Sequence, residues 1–478
     1  MITNKFITSK RLSAALALGI VGWVSGAQAA ATLVIVNGDA AGVGFNDPTV
    51  VAPVGGNTGT TLGEQRLNAF QAAANKWGAT LTSVPVIRIQ ARWTALSCTS
   101  SGAVLGSAGA TEVFADFPGA IKPSTLYSAA LTNKLFGATA DPTTPEIAAN
   151  FNVNLGQPGC LTGTFFYLGL DNNHGANIDL VTVLTHEFGH GLGFQTFTSG
   201  STGAQIAGFP SIWDHFMQDN TTGKLWVNMT NAERVTSALN FRMLAWTGSN
   251  VTTSVPLVLS PGTPSLAISG PAAGAATGNY NIGTASFGAP LSTTAVAEQL
   301  MPVVDLPNGT GLACNPLSAL NALAVKGHVA LVDRGTCTFA AKAKNVQDAG
   351  AIGIVIANNA VGPAPGLGGS DPTVTIPAIS VSQADGVTLK TALARRSRTA
   401  SGVIASLSVN SSQYAGADLQ GRALLYTPNP FQGGSSVSHW DTIAFPNQLM
   451  EPAINGDLTH EVTPPQDLTF KLLQDIGW

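Results

Sequence analysis

Apolar positions along residues 61–81 fall at Leu62, Leu67, Phe70, Ala74 and Trp77. That spacing predicts an amphipathic helix. Val84–Trp93 alternates between apolar and polar residues and predicts a strand. "GTFFYLGL" (Gly163–Leu170) is a second strand candidate, and "DNNHGAN" (Asp171–Asn177) reads as a turn. The apolar run "IDLVTVLTHEFGHGLGF" then predicts a helix, with Asp179 near its start and Gly191 and Gly193 ending it.

Beyond Trp246 the pattern changes. Residues 247–290 are rich in Gly, Ser, Thr, Pro and Ala with almost no charge, and read as a linker or as short strands opening an all-β region. From Val329 the rhythm is strand, helix, strand: "HVALVDRG", "CTFAAKAKNVQDAG", "AIGIVIANN", then "IPAISVSQADGVTLKTAL". This predicts a small separate α/β module. After it, charged and aromatic residues return. The module therefore reads as an insertion between two parts of one domain: residues 30–255 and 409–478, with residues 256–408 between them.

Lys5, Lys10 and Arg11, the apolar stretch Leu12–Gly26 and Ala27-Gln28-Ala29 have the form of an export signal over residues 1–29. Of 22 Lys+Arg this removes three and no acid, leaving 19 against 26 Asp+Glu, a net charge of −7. Charged residues are only 10% and form no basic patch, which argues against a nucleic-acid partner. No later apolar run is long enough for a membrane span, so no stable membrane anchor is expected. An exported chain with four cysteines suggests two disulfides. Three pairings exist. The simplest, with one bridge in each half, is Cys98–Cys160 and Cys314–Cys337.

The chemistry lies in "HEFGH". On a helix His186 and His190 share one face and can offer two imidazoles to one ion, with Glu187 beside them. A catalytic zinc takes three protein ligands and keeps a fourth position open. The third ligand is not adjacent, because Thr196 stands where the commonest extended motif has a histidine. His174, His215 with Asp214, His328, His439 and His460 are the remaining candidates. The turn Asp171-Asn172-Asn173 could hold calcium through its oxygens, but an ordinary Asx turn is the simpler reading.

Two resemblances narrow this. "ALVDRGTCTFAAKAKNVQDAGAIGIVIANN" (Ala330–Asn359) and "IPAISVSQADG" (Ile376–Gly386) resemble the protease-associated domain over about residues 290–400. In that non-catalytic family the positions of Cys314 and Cys337 commonly bridge. "HGLGF" with the remote "HWDTIAFPNQLMEP" (His439–Pro452) resembles the leishmanolysin branch of the metzincins. There an insertion displaces the third histidine, and a methionine turn follows at short range. Met450 follows His439 by 11 residues, the spacing of that branch. The resemblance implies an α+β fold, a metzincin-like domain with a twisted sheet and active-site helix, interrupted by the α/β module. It also implies one Zn2+ on His186, His190 and His439, Glu187 as general base, and Met450 beneath the ligands. The expected function is a secreted zinc endopeptidase acting on proteins or peptides. The rivals are an inactive binding protein on a peptidase scaffold and a zinc hydrolase of cell-wall amides.

Overall fold

The computed structural model describes residues 3–4, 29–307 and 309–478. Most of the expected export signal lies outside the described residues. The chain divides into two compact units. One comprises residues up to Leu259 with Gly416–Thr427 and Phe431–Trp478; the other comprises Ser260–Ala415 with Pro428–Pro430.

The first unit is built on a four-stranded sheet in the order Leu33–Asn37, Ile87–Thr94, Ile147–Asn152, Gly106–Ala110. The first three strands are parallel, and the last runs antiparallel along the edge, with Ala108 opposite Ala149. The predicted helix runs from Leu62 to Thr80. It is opened by a capping box in which Thr61 accepts from the Glu64 amide and Glu64 accepts from the Thr61 amide. Its apolar face meets the helix Leu180–Leu192, which is buried along its whole length. The Trp77 indole donates to the Thr185 carbonyl at 3.0 Å. Phe70 packs edge-on against Phe151 of the sheet and Phe188 of the second helix. Such a helix needs no polar face, since every side is covered.

The second unit holds an eight-stranded mixed sheet. Val296–Pro302, Val329–Asp333, Gly353–Ala357 and Ala378–Val381 are parallel neighbours within it. Val329, Leu331, Val355 and Ala357 join one apolar cluster, while Ala330, Val332, Ile354 and Ile356 join another. Alternate residues of each strand thus bury opposite faces, which explains the unbroken apolar runs in the sequence. Pro261–Ser269 and Ile404–Tyr414 pair antiparallel and bring the ends of the unit together, with the Ala415 amide on the Ser260 carbonyl.

Two local expectations are corrected. The segment after Trp246 is neither a linker nor only strands, because Ser249–Val258 is a helix. Its first amides, Asn250 and Val251, donate to the Asp475 carboxylate, which also accepts from the Trp246 indole. A remote carboxylate supplies the cap that the local sequence lacks. Of the strand expected at Gly163–Leu170, only Phe166–Tyr167 forms. Both expected disulfides are present, Cys98–Cys160 and Cys314–Cys337. No helix among the described residues is long and apolar enough to cross a membrane.

Candidate metal centre

Asp179 caps the helix Leu180–Leu192 by accepting from the Thr182 amide at 2.7 Å, and Gly193 closes it with φ +124°. Few residues other than glycine adopt that angle, so the chain can leave the helix there. The helix presents His186 and His190 on one side. His439 comes to them from a stretch without regular structure, since no helix or strand lies between Tyr414 and Thr469. The ligand atoms of the three histidines all lie within 4.8 Å of one another, and all three rings are buried.

The hydrogen bonds fix the ring chemistry. His186 Nδ1 lies 2.7 Å from the Leu449 carbonyl, His190 Nδ1 2.7 Å from the Phe194 carbonyl, and His439 Nδ1 2.8 Å from the Ser435 carbonyl. A carbonyl can only accept, so each Nδ1 carries the proton. The Nε2 lone pairs are left bare. Two of them, on His190 and His439, face each other at 3.1 Å. Protonating a ring is opposed, because burial holds His186 down at about 4 and His190 at about 3, with His439 also well below the usual value. Converging bare nitrogens call for a cation. Three neutral imidazoles, each oriented by a carbonyl, are a donor set that fits zinc.

Glu187 lies beside the triad and is also buried. Burial pushes its carboxyl up to about 8, partly offset by a hydrogen bond from the Ala108 amide of the edge strand. Met450 is fully buried beneath the helix. A Cβ on Gly189 would lie 2.9 Å from the Met450 sulfur, so glycine allows that close approach. The triad and Glu187 open onto a cavity of about 870 Å³, lined among others by residues 103–108 and by Ser435–His439.

The other candidates have different partners. Asp214 accepts from Ser211 through both the amide and the hydroxyl, and from the hydroxyls of Thr196 and Thr198. Thr196, in the place of the usual third histidine, thus belongs to a buried structural cluster. The Ser-x-x-Asp capping box at Ser211 was a readable signal for it. His215 meets the Thr125 hydroxyl at 3.0 Å. His460 pairs with Asp179 at 2.8 Å. His174 bonds the Asn177 carbonyl, and His328 lies 3.6 Å from Glu298 in the second unit. The Asp171 turn has Asx-turn geometry, its carboxylate accepting from the Asn173 amide and the Tyr167 hydroxyl. Sequence reasoning passed over Asp467, which accepts from the Leu449 amide at 2.6 Å, and Glu451, which lines the cavity.

Residues 298–389 match the PA domain family, so the chain contains a PA domain within its second unit. Among curated proteins it is similar to the probable lipoprotein aminopeptidase LpqL of Mycobacterium tuberculosis. The two are 38% identical over 93 residues, 19% of this chain and 18% of that protein. It is also similar to the human ER degradation-enhancing alpha-mannosidase-like protein 3, 44% identical over 78 residues, 16% of this chain and 8% of that one. The chain thus spans less than a fifth of either relative. Among solved structures, a zinc aminopeptidase from Bacillus subtilis aligns at 23% identity over 33% of this chain and 35% of its own, with a TM-score of 0.23. An aminopeptidase from Aneurinibacillus sp. strain AM-1 aligns at 16% identity over 42% of each chain, also with a TM-score of 0.23. Likeness of that extent assigns no chemistry to the first unit.

Proposed function

We propose that the chain is an exported zinc-dependent endopeptidase of metzincin type, with His186, His190 and His439 as ligands and Glu187 as general base and acid. The observation that carries this reading is the convergence of three bare Nε2 atoms beside a buried carboxylate in an open cleft. When bound, zinc would serve as a Lewis acid toward the scissile carbonyl and the attacking water. Glu187 accepts the proton of that water on its carboxylate and returns it to the leaving amide nitrogen. Burial suits it to the task, since a carboxyl raised toward neutrality both takes and gives a proton near pH 7. Among the described residues, the edge strand Gly106–Ala110 pairs with one neighbour only. Its outer edge borders the cleft and can take an extended peptide as a further strand. That favours cleavage within a chain.

The test is metal analysis of the purified protein with casein hydrolysis before and after chelation, repeated on Glu187→Gln. The expected result is about one zinc per chain, activity lost on chelation and restored by zinc, and a variant that keeps zinc but loses about a hundred- to ten-thousandfold in rate. Near-normal hydrolysis by E187Q would remove Glu187 from the chemistry. A zinc-loaded protein that cleaves neither casein nor short peptides would favour the binding-protein rival.

A further inference from the structure

Among the described residues lining the cavity, none is a lysine or arginine, and two are carboxylates. One is Glu187. The other, Glu451, follows Met450 and is 2% exposed. Its Oε1 accepts from the Gln448 amide at 2.8 Å and its Oε2 from the Asn455 side-chain amide at 3.2 Å. A carboxylate offers about four lone-pair sites, so these two neutral donors leave it half used. No cation among the described residues offsets it. Burial pushes its carboxyl up to about 8, and the neighbouring Asp441 and Asp457 push the same way. Asp441 is itself paired with Arg242. A buried carboxylate without a cation is costly to keep, and a loop closed by Gln448 and Asn455 does not require a charge at this position. The cavity thus carries a carboxyl that meets no cation among the described residues, in the space where a substrate would lie, and a cationic group placed against it would draw it into the ionised form.

We propose that Glu451 is a specificity residue that binds a cationic group of the peptide, an ammonium or guanidinium, next to the cleavage site. The inference rests on reading the cleft as a peptide-binding groove. The cation has two sources, a lysine or arginine side chain or the free amino end of the peptide, and both present positively charged N–H donors to a carboxylate. Either one would complete the lone pairs left open and replace the lost hydration.

The experiment measures peptide binding by fluorescence anisotropy, using the full chain with Glu187→Gln so that nothing turns over. Three related peptides are compared, each cationic one differing from the neutral one at a single point. The first is N-acetylated with lysine beside the central bond; the second is N-acetylated with norleucine there; the third has norleucine and a free amino end. Norleucine keeps the length of lysine without its charge. The expected result is that one of the two cationic peptides binds about tenfold more tightly than the acetylated norleucine peptide. Which one does so identifies the source of the cation. Adding Glu451→Gln should bring all three within about twofold. Equal binding of all three to E187Q overturns the inference, as does a preference that survives E451Q. Should the double variant fail to fold, the three affinities on E187Q alone decide. Cleavage by the unsubstituted protein is scored separately. A charge preference without cleavage would sink the peptidase reading and leave this one standing.

Discussion

His186 and His190 stand one turn apart on a helix whose repeating hydrogen bonds set their spacing, whereas His439 stands on a buried loop without that repeating pattern. The loop is held point by point instead. The Tyr426 amide donates to the His439 carbonyl, the Trp440 amide to the Met450 carbonyl, and the Thr196 amide to the Ser438 hydroxyl. Below the helix, Asp467 fixes the Leu449 amide and the Leu449 carbonyl fixes His186. The two sides therefore reach the same precision by different means. The helix uses one repeating bond pattern, and the loop uses a set of individual contacts. The helical side should tolerate the loss of a single bond better than the loop side.

If the two sides are equal partners in one site, His439→Ala and His190→Ala should do equal harm. Each is expected to lower zinc affinity by at least about a hundredfold, since losing a ligand exceeds the cost of losing a ligand's supporting contact. His215→Ala, whose ring bonds Thr125, should leave zinc stoichiometry intact. Isothermal titration of metal-free protein with zinc checks all three. Full zinc binding by H439A would break the symmetry and return the third ligand to the other candidates.

Smaller effects should separate packing from orientation. Met450→Ala empties a fully buried position and is expected to cost about 3 kcal/mol of stability. Met450→Leu should cost less than about 1.5 kcal/mol. Asp467→Ala frees the Leu449 amide, and with it the carbonyl that orients His186. The expected loss is about 2 kcal/mol in stability and about tenfold in zinc affinity. Denaturant melts and zinc titrations of the same preparations check both. A D467A protein that loses stability but binds zinc normally would show that the Leu449 contact does not set the ring.

The same contrast explains what could be read from the sequence. The helix side was legible because HExxH spacing, the apolar run before it and Gly193 after it are local signals. The strand–helix–strand rhythm of the PA domain was legible for the same reason. On the loop side, only resemblance singled out His439 and Met450, since nothing within ten residues of His439 marks it as a ligand. Glu451 and Asp467 carried no signal, because their roles depend on which groups the fold brings near them. The helix Ser249–Val258 was missed likewise, its cap being supplied by Asp475 from the far end of the chain. Asp214 could have been read better, since its capping box with Ser211 is local.

A pH titration tests the loop through its least compensated group. Burial raises the Glu451 carboxyl to about 8 in the folded protein, from an ordinary value near 4.5. Below about pH 4.5 the group is protonated folded or unfolded and has no influence on the pH dependence of stability. Between about 4.5 and 8 the unfolded chain has released the proton while the folded one still holds it. Unfolding then releases a proton, so this group makes stability fall as pH rises across that window. Above about 8 both states are ionised, and the penalty stays constant. Glu451→Gln keeps the shape and removes the titration. Its melting temperature relative to the unsubstituted protein should therefore climb from about pH 4.5 to about pH 8, by on the order of 5 °C, and level off beyond. Differential scanning calorimetry at half-unit pH steps, without peptide, resolves this. A difference that is flat with pH would mean a solvated or already neutralised carboxylate, and one that falls with pH would mean a cation of the protein sits beside it. Either result would show the loop side to be compensated in the way the helix side is.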